Sequence, residues 1–289
     1  MTDHAPEHLG TNGWQRFWNR GGWWRALLAA AVYLALYEGI SYLLGVLLSG
    51  SIDGENLLNS PLSIFFAIAL PILIMGLITF GFIASLGWQK EIFGRQPTTR
   101  RWWMWIAVVI VLVPNILRLA ATNWSAYSVA AVLSLLFAGL CIGFAEELIT
   151  RGVAVNLLRR GGHGERVVFV LSSVIFGILH GINLVTGQPL LTVGVTVLYA
   201  MGFGAMMYLS MRATGSIVPA MLLHASTDPT TFLASGGIDA QGDTAGAAGL
   251  IGIAGIFNVL YFVLALIAVI LIKNEVVFKR APAVDEPAA

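Results

Sequence analysis

Charge is what this sequence has least of. Only 11% of its 289 residues are Asp, Glu, Lys or Arg, against about 25% in an average soluble domain. With 57% hydrophobic residues and a mean hydropathy of +0.82, there is too little polar surface to cover a soluble fold. The net charge of +1 offers no basic field for nucleic acid, so no nucleic-acid partner is expected. The one cysteine, Cys141, lies in an apolar run, which excludes an intramolecular disulfide and any CxxC metal pattern. Met1 to Arg25 lacks the short apolar core and A-x-A end of a cleaved signal peptide, and carries Asp3, His4 and Glu7 instead. No long polar linker divides the chain. Its apolar runs do not alternate, which excludes a membrane β-barrel.

What is present is a series of apolar stretches near the roughly 20 residues that a bilayer-crossing helix needs. Unpaired backbone groups are not tolerated in lipid, so these stretches must be helices. Hydropathy predicts an all-α, polytopic transmembrane helix bundle of about eight spans. They run Ala26–Leu48, Pro61–Leu86, Trp103–Leu119, Ser128–Ala145, Val167–Leu184, Leu190–Met211, Ile217–Ala234 and Gly249–Ile272. With the N-terminus inside, every one of the 16 Lys and Arg except Arg118 falls on inner segments. Asp53, Glu55, Asp239 and Asp243 fall on outer loops. This meets the positive-inside rule with both termini cytoplasmic, and an odd number of spans would break it. Trp14, Phe17, Trp18, Trp23 and Trp24 beside Arg16, Arg20 and Arg25 read as an interfacial anchor, and Trp102, Trp103 and Trp105 as an inner aromatic belt. The expected partition is an interfacial segment 1–25, a bundle 26–272 and a cytoplasmic tail 273–289. Gly236–Gly249 reads as a flexible outer loop and Ala281–Ala289 as a disordered tail.

Ionisable side chains within the bilayer cost roughly 2.5–3.5 kcal/mol each on insertion scales and tend to be functional. Here they are Glu38, Glu146, Glu147, His180, His224 and Asp228, with Arg118 near the outer side. Glu147 and Arg151 are four apart and share a helix face, whereas Glu146 is rotated about 100° away. One carboxylate is then held by an arginine and the other is free for chemistry; the plainer alternative is an exposed acidic-basic helix end. Phe176 stands one turn before His180, where it can pack over the imidazole. His224 and Asp228 are also four apart, and Pro229 frees the carbonyl of Ala225. Each pair taken alone reads equally well as helix-packing polar residues. Taken together, an acid, two imidazoles and a further oxygen ligand suit two hydrolytic schemes. In one, zinc bound by Glu146, His180, His224 and Asp228 activates water. In the other, Glu146 and His180 activate water directly while His224 and Asp228 steady the oxyanion.

Counted from Val167, His180 lies ~20 Å along the fifth span, whereas Glu146 closes the fourth near the inner surface. The two share a site only if the fourth helix runs further in, or the fifth is tilted or starts later. Gly161, Gly162 and Gly164 allow the later start.

Glu146-Glu147-x-x-x-Arg151, Phe176-x-x-x-His180 and His224-x-x-x-Asp228, in that order on separate helices, resemble the CPBP family. These are type II CAAX prenyl endopeptidases and bacteriocin-processing enzymes, also called the ABI family. The resemblance covers about 128–235. It implies an intramembrane endopeptidase, zinc-dependent or metal-free; the Ala- and Gly-rich composition points to a bacterial plasma membrane. Its site would face the cytoplasm, and its substrates would be peptides or membrane proteins. Glu146 would be the water-activating acid with His180, Glu147 and Arg151 supporting partners, and His224 and Asp228 the completing pair. A bacteriocin-immunity or scaffolding protein without catalysis is the competing reading. A transporter or proton relay is disfavoured by the lack of an internal repeat.

Overall fold

The computed structural model describes residues 12–185, 187–235 and 248–278. Among these, regular structure is helical, and the only β-type pairing is one bridge between Gly164 and Val276. The helices used below are α1 Gly13–Asn19, α2 Trp23–Leu47, α3 Pro61–Leu86, α4 Gln89–Phe93, α5 Trp105–Ala121, α6 Val129–Arg160, α7 Glu165–Leu184, α8 Leu190–Thr214, α9 Ile217–Ser235 and α10 Ala248–Leu271. The loop and tail expected at 236–247 and beyond 278, with Asp239, Asp243, Lys279 and Arg280, lie outside the described residues, as do Asp3, His4 and Glu7.

By length and composition, 7 helices can cross a membrane: α2, α3, α5, α6, α7, α8 and α10. This is one fewer than the expected count of about eight, and α9 is the difference. Its 19 residues include His224, Ser226, Thr227, Asp228, Thr230 and Thr231, which lower its hydropathy. The helix nonetheless packs against α6, α5 and α8 inside the bundle. His224, Thr227 and Thr230 are buried. Its polar residues face neighbouring helices rather than lipid, so α9 needs less apolar surface than its neighbours. Around the bundle, Leu27, Leu36, Leu43, Leu133, Leu140 and Ile270 are exposed, the outer apolar coat that a bilayer covers.

The largest departure from expectation is α6. It does not end at Ala145 but continues to Arg160, 32 residues in all, or about 48 Å. Glu146 and Glu147 therefore sit mid-helix. Directly after them, Leu148–Ala154 forms a π-helical turn, a feature that often marks functional sites. A second π-helical turn, Phe65–Ala69, precedes Pro71 in α3. Proline lacks the amide proton that would bond four residues back, and the helix widens there.

The described ends of the chain meet at one end of the bundle. Gly22 donates its N–H to Leu157 O (2.7 Å) near the close of α6, and Glu165 donates its N–H to Glu275 O (3.0 Å). α1 is tied to the same end: Trp14 donates to Ser85 Oγ (3.0 Å) and Trp88 to Asn19 Oδ1 (2.8 Å).

This end also holds a buried ionic lattice. Arg159 donates to Glu165 through Nε (2.7 Å) and Nη2 (3.1 Å), and to Gln96 Oε1 (2.7 Å). Arg212 donates to Glu165 Oε2 (2.9 Å), Glu275 Oε1 (3.1 Å) and Thr99 O (2.7 Å). Tyr208 also donates to Glu165 Oε2. Arg159 and Arg212, counted in the sequence among the basic residues of inner segments, are thus buried bolts between helix termini.

Candidate active site

The site begins with close helix contact. Gly139 and Gly143 lie four apart on α6. A Cβ on Gly139 would stand 2.3 Å from Pro229 Cγ and 2.5 Å from Ala225 O. One on Gly143 would stand 2.4 Å from Met221 O. Small residues at this spacing let two membrane helices approach backbone to backbone. That approach sets α9 against α6, and one turn further along α6 His224 reaches Glu147. The Ala225 carbonyl, freed by Pro229, faces Gly139 in this contact. The G-x-x-x-G spacing was visible in the sequence as the signal for the pairing, and motif reading centred on charged residues passed over it.

Glu147 is fully buried and Arg151 is 2% exposed, so the exposed helix-end reading is wrong. Because α6 runs on past the motif, the pair is enclosed rather than placed at a surface. Arg151 Nη1 donates to Glu147 Oε1 at 3.2 Å, and Nη2 donates to Gly204 O on α8. The guanidinium lies over the Phe176 ring, 4.6 Å from its centroid. Gly204 permits this, since a Cβ there would come within 2.8 Å of Arg151 Nη2. Phe176 also contacts both imidazoles, with centroids 5.0 Å from His180 and 5.7 Å from His224. One aromatic ring therefore touches all three motifs.

His224 lies between carboxylates. Its Nδ1 is 2.8 Å from Glu147 Oε1; because a carboxylate accepts, that nitrogen carries the proton. Its Nε2 is 3.4 Å from Asp228 Oδ2 and 3.8 Å from Glu146 Oε2. The Asp228 contact is an ionic approach rather than an aligned hydrogen bond, since Oδ2 is buried without a hydrogen-bond partner. His180 closes the α-helical part of α7. Its Nδ1 is 3.0 Å from Phe176 O; a carbonyl also only accepts, so Nδ1 donates, and in the neutral ring Nε2 carries the lone pair.

Glu146, His180, His224 and Asp228 line one cavity of about 280 Å³, with Tyr37, Phe176, Asn183, Tyr199 and Phe203. A neighbouring cavity of about 160 Å³ shares Tyr37, Glu146, His180 and Asn183 and adds Tyr33. One water needs only ~10–15 Å³ in such terms, so the site has room for water and a bound peptide group. The Glu146 side chain is 23% exposed, which leaves its carboxylate open to this space. The six residues singled out from the sequence come together here, four on the cavity wall and Glu147 and Arg151 directly behind it. The extension of α6 brings Glu146 level with His180; α7 does not start later, since it opens at Glu165. Tyr37, Tyr199 and Asn183 carried no signal in the sequence that set them apart from other span residues. Arg118 donates to Asn115 Oδ1 (3.2 Å).

Glu146, His180, His224 and Asp228 are the donors that a zinc site would use. Both imidazoles have Nδ1 oriented by a second group, as in many metal sites. However, no group of three or more His, Cys, Asp or Glu side chains among the described residues is gathered closely enough to hold a metal ion. As placed, these residues do not form a coordination sphere.

Residues 128–230 match a protein-family model described as Type II CAAX prenyl endopeptidase Rce1-like. Neither the curated proteins nor the solved structures gave a match. The matched segment contains all three motifs and the Gly139–Gly143 contact.

Proposed function

The chain belongs to the CPBP family through residues 128–230, and on that premise we propose that Glu146 and His180 activate water in its intramembrane CAAX-type protease site. Glu146 takes a proton from a water in the cavity, helped by the Nε2 lone pair of His180, and the water oxygen attacks the carbonyl carbon of a peptide bond. The oxyanion that forms accepts a hydrogen bond from His224 Nε2. Glu147 holds the other side of that imidazole, and Arg151 holds Glu147. Asp228 steadies the imidazolium. The proton held by Glu146 then passes to the leaving nitrogen, the C–N bond breaks, and a carboxylic acid and an amine are released.

The observation that carries this reading is the environment of Glu146. It is the motif carboxylate left partly open to a cavity with room for water, while its neighbour Glu147 is held through Oε1 by Arg151 and His224. The scheme routes no step through zinc. The substrate class it supports is a membrane-anchored polypeptide.

Purified protein in lipid vesicles, presented with membrane-anchored reporter peptides that include prenylated CAAX sequences, tests the proposal. Glu146→Ala should lower cleavage by roughly 10²–10⁴-fold, the usual contribution of a positioned base, while insertion and folding stay intact. Cleavage at the wild-type rate in that variant would remove Glu146 from the mechanism. If wild type cleaves nothing and Glu146→Ala still complements in cells, a non-catalytic partner role is the better account.

A further inference from the structure

Asn115 and Arg118 on α5 belong to none of the three motifs, yet they hold the segment that carries two of the site's groups. Both are buried, at 3% and 8% exposure. Asn115 Nδ2 donates to Ser226 Oγ and to Thr227 Oγ1, each at 3.0 Å. Arg118 Nη1 donates to Asn115 Oδ1 at 3.2 Å, and Thr230 Oγ1 stands 3.4 Å from the same oxygen. A single amide on α5 thus meets three hydroxyls of α9. Asp228 lies between them in the chain, and His224 just before them.

The network runs in one sense only. A guanidinium donates and cannot accept, so Arg118 turns the oxygen of Asn115 toward itself and the amide nitrogen toward α9. The two protons of that nitrogen go to Ser226 and Thr227. The hydroxyls of those residues donate in turn to Leu223 O, at 2.7 and 3.1 Å. Each link passes from donor to acceptor, from Arg118 to the carbonyl of the residue before His224. Polar contacts that merely pack two helices together need no such polarity.

This stretch of α9 is where the helix is weakest. Pro229 has no N–H to give Ala225 O, so a backbone bond is missing within the turn that sets His224 and Asp228 apart. On the α6 side, Gly139 and Gly143 bring the backbones close but have no side chains to hold that turn. Asn115 holds it from the α5 side. Burying a guanidinium within a membrane span is costly, and here it keeps the amide from flipping. We propose that Asn115 and Arg118 are positioning residues of the peptidase site, clamping the proline-weakened turn of α9 so that His224 stays on Glu147 and Asp228 stays in the cavity wall. This rests on reading the cavity as the peptidase site.

Asn115→Asp is the sharpest probe. It keeps the shape of the side chain and gives Arg118 an anionic partner, so the protein should fold with an unfolding midpoint at or above that of wild type. A carboxylate has no proton to donate, so Ser226 and Thr227 would turn their hydroxyls to it and away from Leu223 O. Arg118→Met frees the amide to flip, and Arg118→Lys keeps a cationic donor. The full chain, labelled with ¹⁵N-histidine in detergent, reports the clamp without cleavage: the His224 ring signal, identified by its loss in His224→Gln, should move in Asn115→Asp and Arg118→Met and stay in Arg118→Lys. The His163 signal, from the basic end, should stay in all three. In the vesicle cleavage assay, Asn115→Asp should lower kcat by up to about 10²-fold, the cost of an ångström-scale misplacement, with KM little changed, and Arg118→Lys should keep most of the wild-type rate. An unmoved His224 signal in folded Asn115→Asp overturns the proposal, as does cleavage by that variant at the wild-type kcat. If Arg118→Met does not fold, Asn115→Asp still decides. If wild type cleaves nothing, the peptidase reading falls while the His224 signal still shows whether the clamp exists.

Discussion

Two clusters of buried charge lie in this bundle about 20 Å apart, and they are built on opposite terms. In the lattice at the basic end, all four carboxylate oxygens of Glu165 and Glu275 have donors. In the cavity, Glu147 Oε2 and Asp228 Oδ2 have no hydrogen-bond partner among the described residues, and Glu146 meets a long contact to His224 there. Satisfied groups rigidify a structure, whereas unsatisfied ones beside a roomy cavity are free to bind water and substrate. Buried charge alone does not mark the site; incomplete pairing beside open space does.

The sharpest way to break that comparison is to exchange the consequences of mutation. Glu165→Ala leaves Arg159 and Arg212 buried without their shared carboxylate. Breaking such a pair from one side costs about 3–5 kcal/mol, so thermal unfolding in detergent should show a large loss of stability or no folded protein at all. Glu146→Gln should leave the unfolding midpoint unchanged or slightly raised, because the group it replaces is incompletely paired. A Glu146→Gln protein as unstable as Glu165→Ala would show that both clusters are structural.

A smaller effect is expected from Gly143→Leu. The side chain would meet Met221 O and Ala225 N and push α9 from α6, costing about 1–3 kcal/mol by overpacking. It should lower cleavage more than its stability loss explains, because His224 moves away from Glu147. Equal losses in both would mean that the α6–α9 spacing matters only for folding. The smallest effect belongs to Arg160, which pairs with Glu91 at 2.6 Å with both side chains partly exposed. Arg160→Ala should cost roughly 0–1 kcal/mol and leave cleavage intact. A large loss there would extend the structural lattice out to the surface.

Part of this was legible in the sequence because the signal is local. Continuous apolar runs announced membrane helices, and i, i+4 spacing announced that Glu147 meets Arg151 and that Phe176 meets His180. The end of α6 was misplaced at Ala145 because the polar run from Glu146 to Arg151 resembles a membrane boundary. It is instead a largely buried stretch that contacts α8 through Arg151 and α9 through Glu147. The seventh hydropathy span, α9, was legible as an apolar run, while the burial of its polar face follows from partners on α5 and α6. Arg159 and Arg212 were read only as basic residues of the inner segments; the burial of Arg212 depends on Glu165 and Glu275, 47 and 63 residues away in sequence.

The sequence by itself determined that this chain lives in a membrane as helices and which few polar residues it carries there, because hydropathy and helical period are properties of short stretches. Only the tertiary structure decided which of those residues are sealed and which face open space. That choice depends on helix length, on the glycine contact between α6 and α9, and on donors brought from distant segments, none of which a short stretch of chain encodes.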